Sequence, residues 1–256
     1  MMIKNINFVS KFSKANILSV ILFFLSVFFI IFKGLNYGID FKGGTLIEVR
    51  TDQSISASSI RDNLKLLDLG DINVKKFGKD GDYLIKIEQK NTTSGEMIQK
   101  IKNKLIDNLN TEVDFRRVES VGPKVSSELL ESSVIAISLA LAAMLFYIWV
   151  RFEWQFSVGS IIALFHDVVI TLGIFSVLSL EINLSIIAAV LTIVGYSMND
   201  TVVIYDRIRE NIFKYTKISI SDIANLSINE TLSRTIITSL TTLLALGSIY
   251  ILGGEI

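Results

Sequence analysis

Cysteine is absent from the 256-residue chain, histidine and proline occur once each, and the formal net charge is zero. Without thiols there is neither a disulfide nor a thiolate metal site, and a single histidine does not build a zinc cluster. Lys and Arg together number 25, as do Asp and Glu, so the composition gives no support for nucleic-acid binding, which wants a basic face. Phosphate loops are missing too: Gly43-Gly44 and Gly253-Gly254 have neither the further glycines nor the Lys-Ser/Thr that such loops need. No Ser–His pair has nucleophile spacing. Tyr205-Asp206 echoes one half of an intramembrane aspartyl protease site, but no Gly-x-Gly-Asp supplies the other half. The expectation is a protein that is not an enzyme and carries no cofactor.

What is present is hydrophobic length. Half of the residues are hydrophobic and a fifth are charged, a mixture that predicts apolar spans plus one polar domain. A bilayer core needs roughly 20 helical residues. Five apolar segments qualify, at 17–36, 131–150, 157–178, 184–205 and 234–252. The first reaches full length only with its flanks, where Lys14 and Lys33 can snorkel. No small-x-small cleavage pattern follows it, so it reads as an uncleaved signal anchor.

Basic residues set the orientation. Lys4, Lys11 and Lys14 precede the first span, Arg151 lies between the second and third, and Arg207, Arg209, Lys214 and Lys217 lie between the fourth and fifth. The turn between spans three and four, at 179–183, has no Lys or Arg. All basic turns fall on one side when residues 1–16 are a cytoplasmic N-terminus and 206–233 a cytoplasmic loop. Residues 37–130 then form an extracytoplasmic domain.

That domain has its own order. Thr45–Thr51 reads as a strand. Ser56–Leu69 reads as a helix with Ile60, Leu64 and Leu67 on one face and Gly70 at its end. Ile72–Phe77 and Tyr83–Gln89 flank Gly78-Lys-Asp-Gly81, a hairpin signal. Ser94–Leu109 reads as a second helix with Met97, Ile98, Ile101, Leu105 and Leu109 as its stripe, and Glu112–Val121 as the last strand. The predicted fold is therefore a polytopic α-helical membrane protein with one extracytoplasmic α+β, ferredoxin-like (βαββαβ) domain. Pro123 suits the first turn of a helix running into the second span.

Ionisable groups inside the spans are the functional candidates, since a charge there costs about 2.5–3.5 kcal/mol on insertion scales. Span four carries Asn199 and Asp200, with Tyr196 one turn before the acid. Span three carries His166 and Asp167 near its middle, and span five opens on Ser233-Arg234-Thr235. Asp200 and Arg234 match in depth, toward the cytoplasmic half. A carboxylate that alternately pairs with an arginine and takes a proton makes a workable relay. Each residue also has a plainer reading: Asp200 as a cap touching water, Arg234 as a topology charge, His166 as a packing residue, and Asp167 as a helix–helix hydrogen bond.

Several ordered motifs resemble the SecF family of protein-export subunits. They are Gly38-Ile-Asp-Phe-Lys-Gly-Gly44, Val121-Gly-Pro123, Arg151-Phe-Glu-Trp154, Ala163-Leu-Phe-His-Asp-Val168, Gly195-Tyr-Ser-Met-Asn-Asp200 with its continuation to Asn211, and Asn229-Glu-Thr-Leu-Ser-Arg-Thr235 followed by Thr238–Thr242. The resemblance covers nearly the whole chain. It implies a multi-pass protein of the cell inner membrane that pairs with SecD and resembles half of a resistance-nodulation-division transporter. It implies use of the proton-motive force to draw a preprotein from the SecYEG channel after the SecA-driven stage, with YajC and YidC as further partners. It carries a proton-relay role onto Asp200 and Arg234, with Asp167 as a further candidate. It also marks Gly38, Asp40, Gly43 and Gly44 as a motif at the membrane exit, which otherwise reads as a Gly-rich turn. The family has six spans and five are found here, so the chain reads as truncated. Two other functions fit the same residues: a proton-driven half-transporter for a lipid or small molecule, and a structural assembly factor of the translocon.

Overall fold

The computed structural model describes residues 6–67, 70–88, 95–109 and 113–252. In chain order they form α1 (Phe12–Lys33, entered through a 3-10 turn at Val9–Lys11), β1 (Asn36–Tyr37), α2 (Ile39–Lys42), β2 (Gly44–Arg50), α3 (Ala57–Lys65), β3 (Asp71–Lys76), β4 (Asp82–Glu88), α4 (Gly95–Leu109) and β5 (Asp114–Val121). There follow α5 (Pro123–Arg151), α6 (Trp154–Leu178), β6 (Glu181–Ile182), α7 (Leu184–Lys214) and α8 (Ile220–Leu252). Two compact units result: an α+β unit of residues 36–139 and 181–187, and a helical unit of the residues up to 35, 140–180 and those from 188 onward.

In the α+β unit the four long strands form an antiparallel sheet in the order β3-β4-β2-β5. Alternation places Ile47 and Val49 of β2 with Tyr83, Ile85 and Ile87 of β4 in one core. Ile60 and Leu64 of α3 and Ile101 and Leu105 of α4 close that core, all four at 0% exposure. Ser56 caps α3 by accepting the Ser59 N–H at 3.2 Å. The hairpin at 78–81 joins β3 to β4 with Lys76 opposite Tyr83. Helix α3 ends at Lys65, short of the expected Leu69; residues 68–69 lie outside the described set, as do Ser94, Gln89 and Glu112 and the side chains of Met97 and Leu109. Helix α2, just before β2, lies against β2, β4 and β5.

Among the described residues, five helices are long and apolar enough to cross a membrane: α1 with its 3-10 turn, α5, α6, α7 and α8. In the helical unit α1 packs along α6. A side chain at Gly173 of α6 would collide with Ser26 of α1, so the two backbones meet at their smallest residues. Ser176 then donates its hydroxyl to the Gly34 and Phe29 carbonyls at 2.7 and 2.9 Å. Lys33 also differs from the sequence reading. Its ammonium donates to the Val177 carbonyl at 2.6 Å, satisfying the C-terminal end of α6. A second apolar cluster joins Ile148 of α5, Phe152 just after it, Leu164 of α6, and Val194 and Met198 of α7.

The segment 206–233 is corrected from loop to helix. Helix α7 continues to Lys214 and α8 begins at Ile220, leaving only 215–219 as a connector. Its charges stabilise helix rather than break it: Arg207–Glu210 and Asp206–Arg209 are spaced three apart and paired at 2.5 and 2.8 Å. Helix α5 starts at Pro123, as expected, about two turns before the apolar span read from 131.

Candidate functional site

The stripe Val190, Val194 and Met198 gives α7 a buried face, and Val194 and Met198 pack on α5 and α6. Another face of the same helix borders α8 across a groove of about 720 Å³. Tyr196, Ser197 and Asp200 line it from α7, and Thr238, Thr241 and Thr242 line it from α8. Asn199, next to the acid, lies instead beside Met144 and Tyr147 of α5. The three threonine hydroxyls donate to the carbonyls of Arg234, Ile237 and Thr238 on their own helix, at 2.9–3.1 Å. Their donors are used and their lone pairs remain, so α8 offers this groove hydrogen-bond acceptors.

Polar contacts fix the register of α7 against α8. Arg207 Nε donates to Glu230 at 2.6 Å, and the fully buried Asn211 donates to Ser227 at 3.0 Å and Glu230 at 2.7 Å. Forward on one helix is backward on the other, so the pair is antiparallel. Continued along the pair, that register sets Asp200 level with Thr238. Arg234 falls one turn away, about 6 Å, toward the Arg207–Glu230 end. Asp200 and Arg234 make no ion pair with each other among the described residues; Arg234 is exposed, and Asp200 half-buried in the groove.

Asp167 is brought to the same place from α6. Its Oδ2 accepts the Ser197 hydroxyl at 2.6 Å, and its Oδ1 lies 2.9 Å from His166 Nδ1. The His166 ring stacks on Phe23 of α1, centroids 6.4 Å apart and planes within 9°. Its Nε2 is buried and has no hydrogen-bond partner among the described residues. Ser197 was not singled out in the sequence. Its position one turn before Asp200 was the available signal.

The membrane-exit motif is built in the α+β unit. Gly38 donates its N–H to the Ile182 carbonyl at 2.9 Å, extending a two-residue parallel pairing of β1 with β6. Any side chain at position 38 would press on that carbonyl and on Asn183. Asp40 Oδ2 accepts the backbone N–H of Leu184, the first residue of α7, at 2.9 Å. The carboxylate therefore caps α7, where a negative charge is favoured. A side chain at Gly43 (φ +76°) would press on Ser126 and Pro123 at the start of α5, and one at Gly44 (φ +133°) would collide with the Ile87 carbonyl. Buried Lys86 of β4 completes the corner. It donates to the Tyr37 carbonyl at 2.9 Å and pairs with Glu181 at 3.4 Å. What reads as a Gly-rich turn in sequence is the junction where β1, β6, the sheet and the starts of α5 and α7 meet.

Five long apolar helices, an acid facing a hydroxyl-lined groove and a small α+β unit define a multi-pass helical membrane protein with ionisable groups inside its bundle. The model of the family described as "Protein export membrane protein SecD/SecF, C-terminal" matches residues 101–256, and that of the "SecD/SecF GG Motif" matches residues 28–55. The chain belongs to the SecD/SecF family. It is 48% identical over 238 residues to the protein translocase subunit SecF of Rickettsia bellii (strain OSU 85-389), covering 93% of this chain and 78% of that one. It is 44% identical over 232 residues to SecF of Cereibacter sphaeroides, covering 87% and 71%. Among solved structures it is similar to SecDF, a translocon-associated membrane protein from Thermus thermophilus, with a TM-score of 0.89 and 34% identity. That match covers 99% of this chain and 35% of the SecDF chain, so the chain spans about a third of that protein. A second SecDF structure, in a super-membrane-facing form, matches with a TM-score of 0.70, again at 34% identity, covering 100% of this chain and 35% of that one.

Proposed function

We propose that this chain works with SecD as a non-enzymatic, cofactor-free subunit of the Sec export machinery in the cell inner membrane. It uses the proton-motive force to complete preprotein translocation after the SecA stage, at the SecYEG channel and beside YajC and YidC. The N-terminus is cytoplasmic, and the α+β unit is a ferredoxin-like domain outside the cytoplasm that meets substrate or partners. The observation that carries this reading is Asp200, an ionisable group within an apolar helix that lines a hydroxyl-walled groove with Arg234 one turn away. The acceptors of Thr238, Thr241 and Thr242 suit a protonated carboxyl, and the guanidinium suits the carboxylate. One charge crossing 100 mV yields about 2.3 kcal/mol to bias a conformational change.

The experiment is late, ATP-independent export in vesicles carrying this chain with SecD, with and without a proton gradient. Asp200→Asn and Arg234→Met are expected to remove the stimulation by the gradient while the complex still assembles. Gradient-stimulated export at the parent level in both variants overturns the assignment.

A further inference from the structure

We infer that Ser197 is a relay residue joining two intramembrane acids: its hydroxyl links the Asp167 carboxylate on α6 to the groove that holds Asp200 on α7. The inference rests on the reading of Asp200 given above and extends it to a second helix.

The geometry supplies each part. Ser197 and Asp200 are three residues apart on α7 and line the same groove. The Ser197 hydroxyl donates to Asp167 Oδ2 at 2.6 Å, within the range of a charge-assisted O–H···O⁻ bond. A hydroxyl has one proton and two lone pairs, so it can receive on one side what it gives on the other. On the far side of Asp167, His166 Nδ1 lies 2.9 Å from Oδ1, and Nε2 is buried with its bonding capacity unused among the described residues. The groups that face this path are His166 and Asp167 on α6, the Phe23 ring on α1, and Tyr196 and Asp200 on α7. From α8 come the hydroxyls of Thr238, Ser239, Thr241 and Thr242, with Ala245 and Leu246 beside them.

The step balances without a co-reactant. A protonated Asp200 carboxyl gives its proton to Ser197 Oγ, directly or across water in the groove, as Ser197 gives its own proton to Asp167 Oδ2. One O–H bond forms and one breaks at the serine. Asp200 becomes a carboxylate, Asp167 a neutral acid, and the hydroxyl resets by rotation about its C–O bond. The released Asp200 charge is then free to take Arg234 as counter-ion. A serine that served only to hold α6 against α7 would make the same 2.6 Å bond, so the test must separate relay from packing.

The full chain is reconstituted with SecD in proteoliposomes, and gradient-driven proton uptake is read with an entrapped pH dye. Ser197→Ala is expected to lower uptake by about a hundredfold or more, the lower edge of what a positioned proton-transfer group contributes. Ser197→Thr keeps the hydroxyl and is expected to stay within about twofold of the parent on the same reasoning. Asp167→Asn still accepts the serine hydrogen bond but takes no proton, and is expected to match Ser197→Ala. The infrared carboxyl band that disappears in Asp167→Asn is expected to shift in Ser197→Ala and hold in Ser197→Thr. Parent-level uptake in Asp167→Asn, or in a folded Ser197→Ala, overturns the relay if Asp200→Asn is inactive, and leaves the Asp200 reading standing. Parent-level uptake in Asp200→Asn overturns that reading itself.

Discussion

At the scale of single residues, the ionisable groups of this chain divide by what satisfies them. Asp82 is almost wholly buried, yet it is held by Arg50 through two bonds of 2.6 Å, Nε to Oδ1 and Nη2 to Oδ2. Arg116 stands 3.9 Å away. The hydrogen bond from Arg50, reinforced by the positive charges of Arg50 and Arg116, holds the Asp82 carboxyl below its ordinary value of 3.8 against the opposing effect of burial. A carboxyl that ionises more readily when folded contributes stability that is fully present above its unfolded pKa. That contribution drains as pH falls through the folded value. The α+β unit is therefore expected to lose stability below about pH 4, read as a fall in the protection factors of the β4 amides, each corrected for its intrinsic exchange rate, as pH drops below that value. Asp82→Asn should cost about 1–3 kcal/mol at neutral pH and flatten that acid dependence. An unchanged acid slope in the variant assigns the loss to other groups. Asp200 contrasts with Asp82: no ion pair holds it among the described residues, and its groove carries the hydroxyls of Ser197, Thr238, Thr241 and Thr242.

At the scale of elements, what was legible in the sequence was what repeats locally. Apolar length marked five helices, and alternation with the Gly78–Gly81 turn marked the strands of the sheet. What periodicity could not show are contacts between distant segments. Asp40 and Leu184 are 144 residues apart, Asp167 and Ser197 are 30 apart, and β1 with β6 are two residues each. The charged run after Asp206 read as part of a loop because its partners, Glu230 and Ser227, lie on another helix. Helix pairing in a membrane depends on small residues letting backbones approach, and this too was silent in the hydropathy. Gly173 is such a residue: α1 and α6 touch there, at a buried Ser26. Gly173→Val is expected to force the two helices apart and to break the Ser176 and Lys33 bonds that lie within a turn or two of the crossing. Overpacking of this kind costs about 1–3 kcal/mol. The measurement is disulfide trapping between cysteines placed at Phe29 and Ser176, positions joined by a 2.9 Å hydrogen bond. Undiminished trapping in Gly173→Val would show that the crossing tolerates bulk.

At the scale of the whole molecule, the absence of cysteine becomes an experimental advantage, because any single cysteine introduced is the only thiol in the chain. Orientation follows from the basic residues: Lys11, Lys14, Arg151, Arg207, Arg209, Lys214 and Lys217 all fall near helix ends or connectors that share one side if α1, α5, α6, α7 and α8 each cross once. The loop between α6 and α7 and the whole α+β unit then share the other side. The β1–β6 pairing requires this, since it hydrogen-bonds Asn36–Tyr37 to Glu181–Ile182. It is an internal check on the charge rule, because two segments separated by more than a hundred residues could not pair if an even number of crossings did not lie between them. Asp80 in the β3–β4 turn is 75% exposed, and Lys217 lies exposed in the α7–α8 connector. In intact cells, with the outer barrier made permeable, Asp80→Cys is expected to react with a membrane-impermeant maleimide and Lys217→Cys to stay unlabelled. In inverted membrane vesicles the pattern should reverse. Labelling of both positions from one side would overturn this orientation.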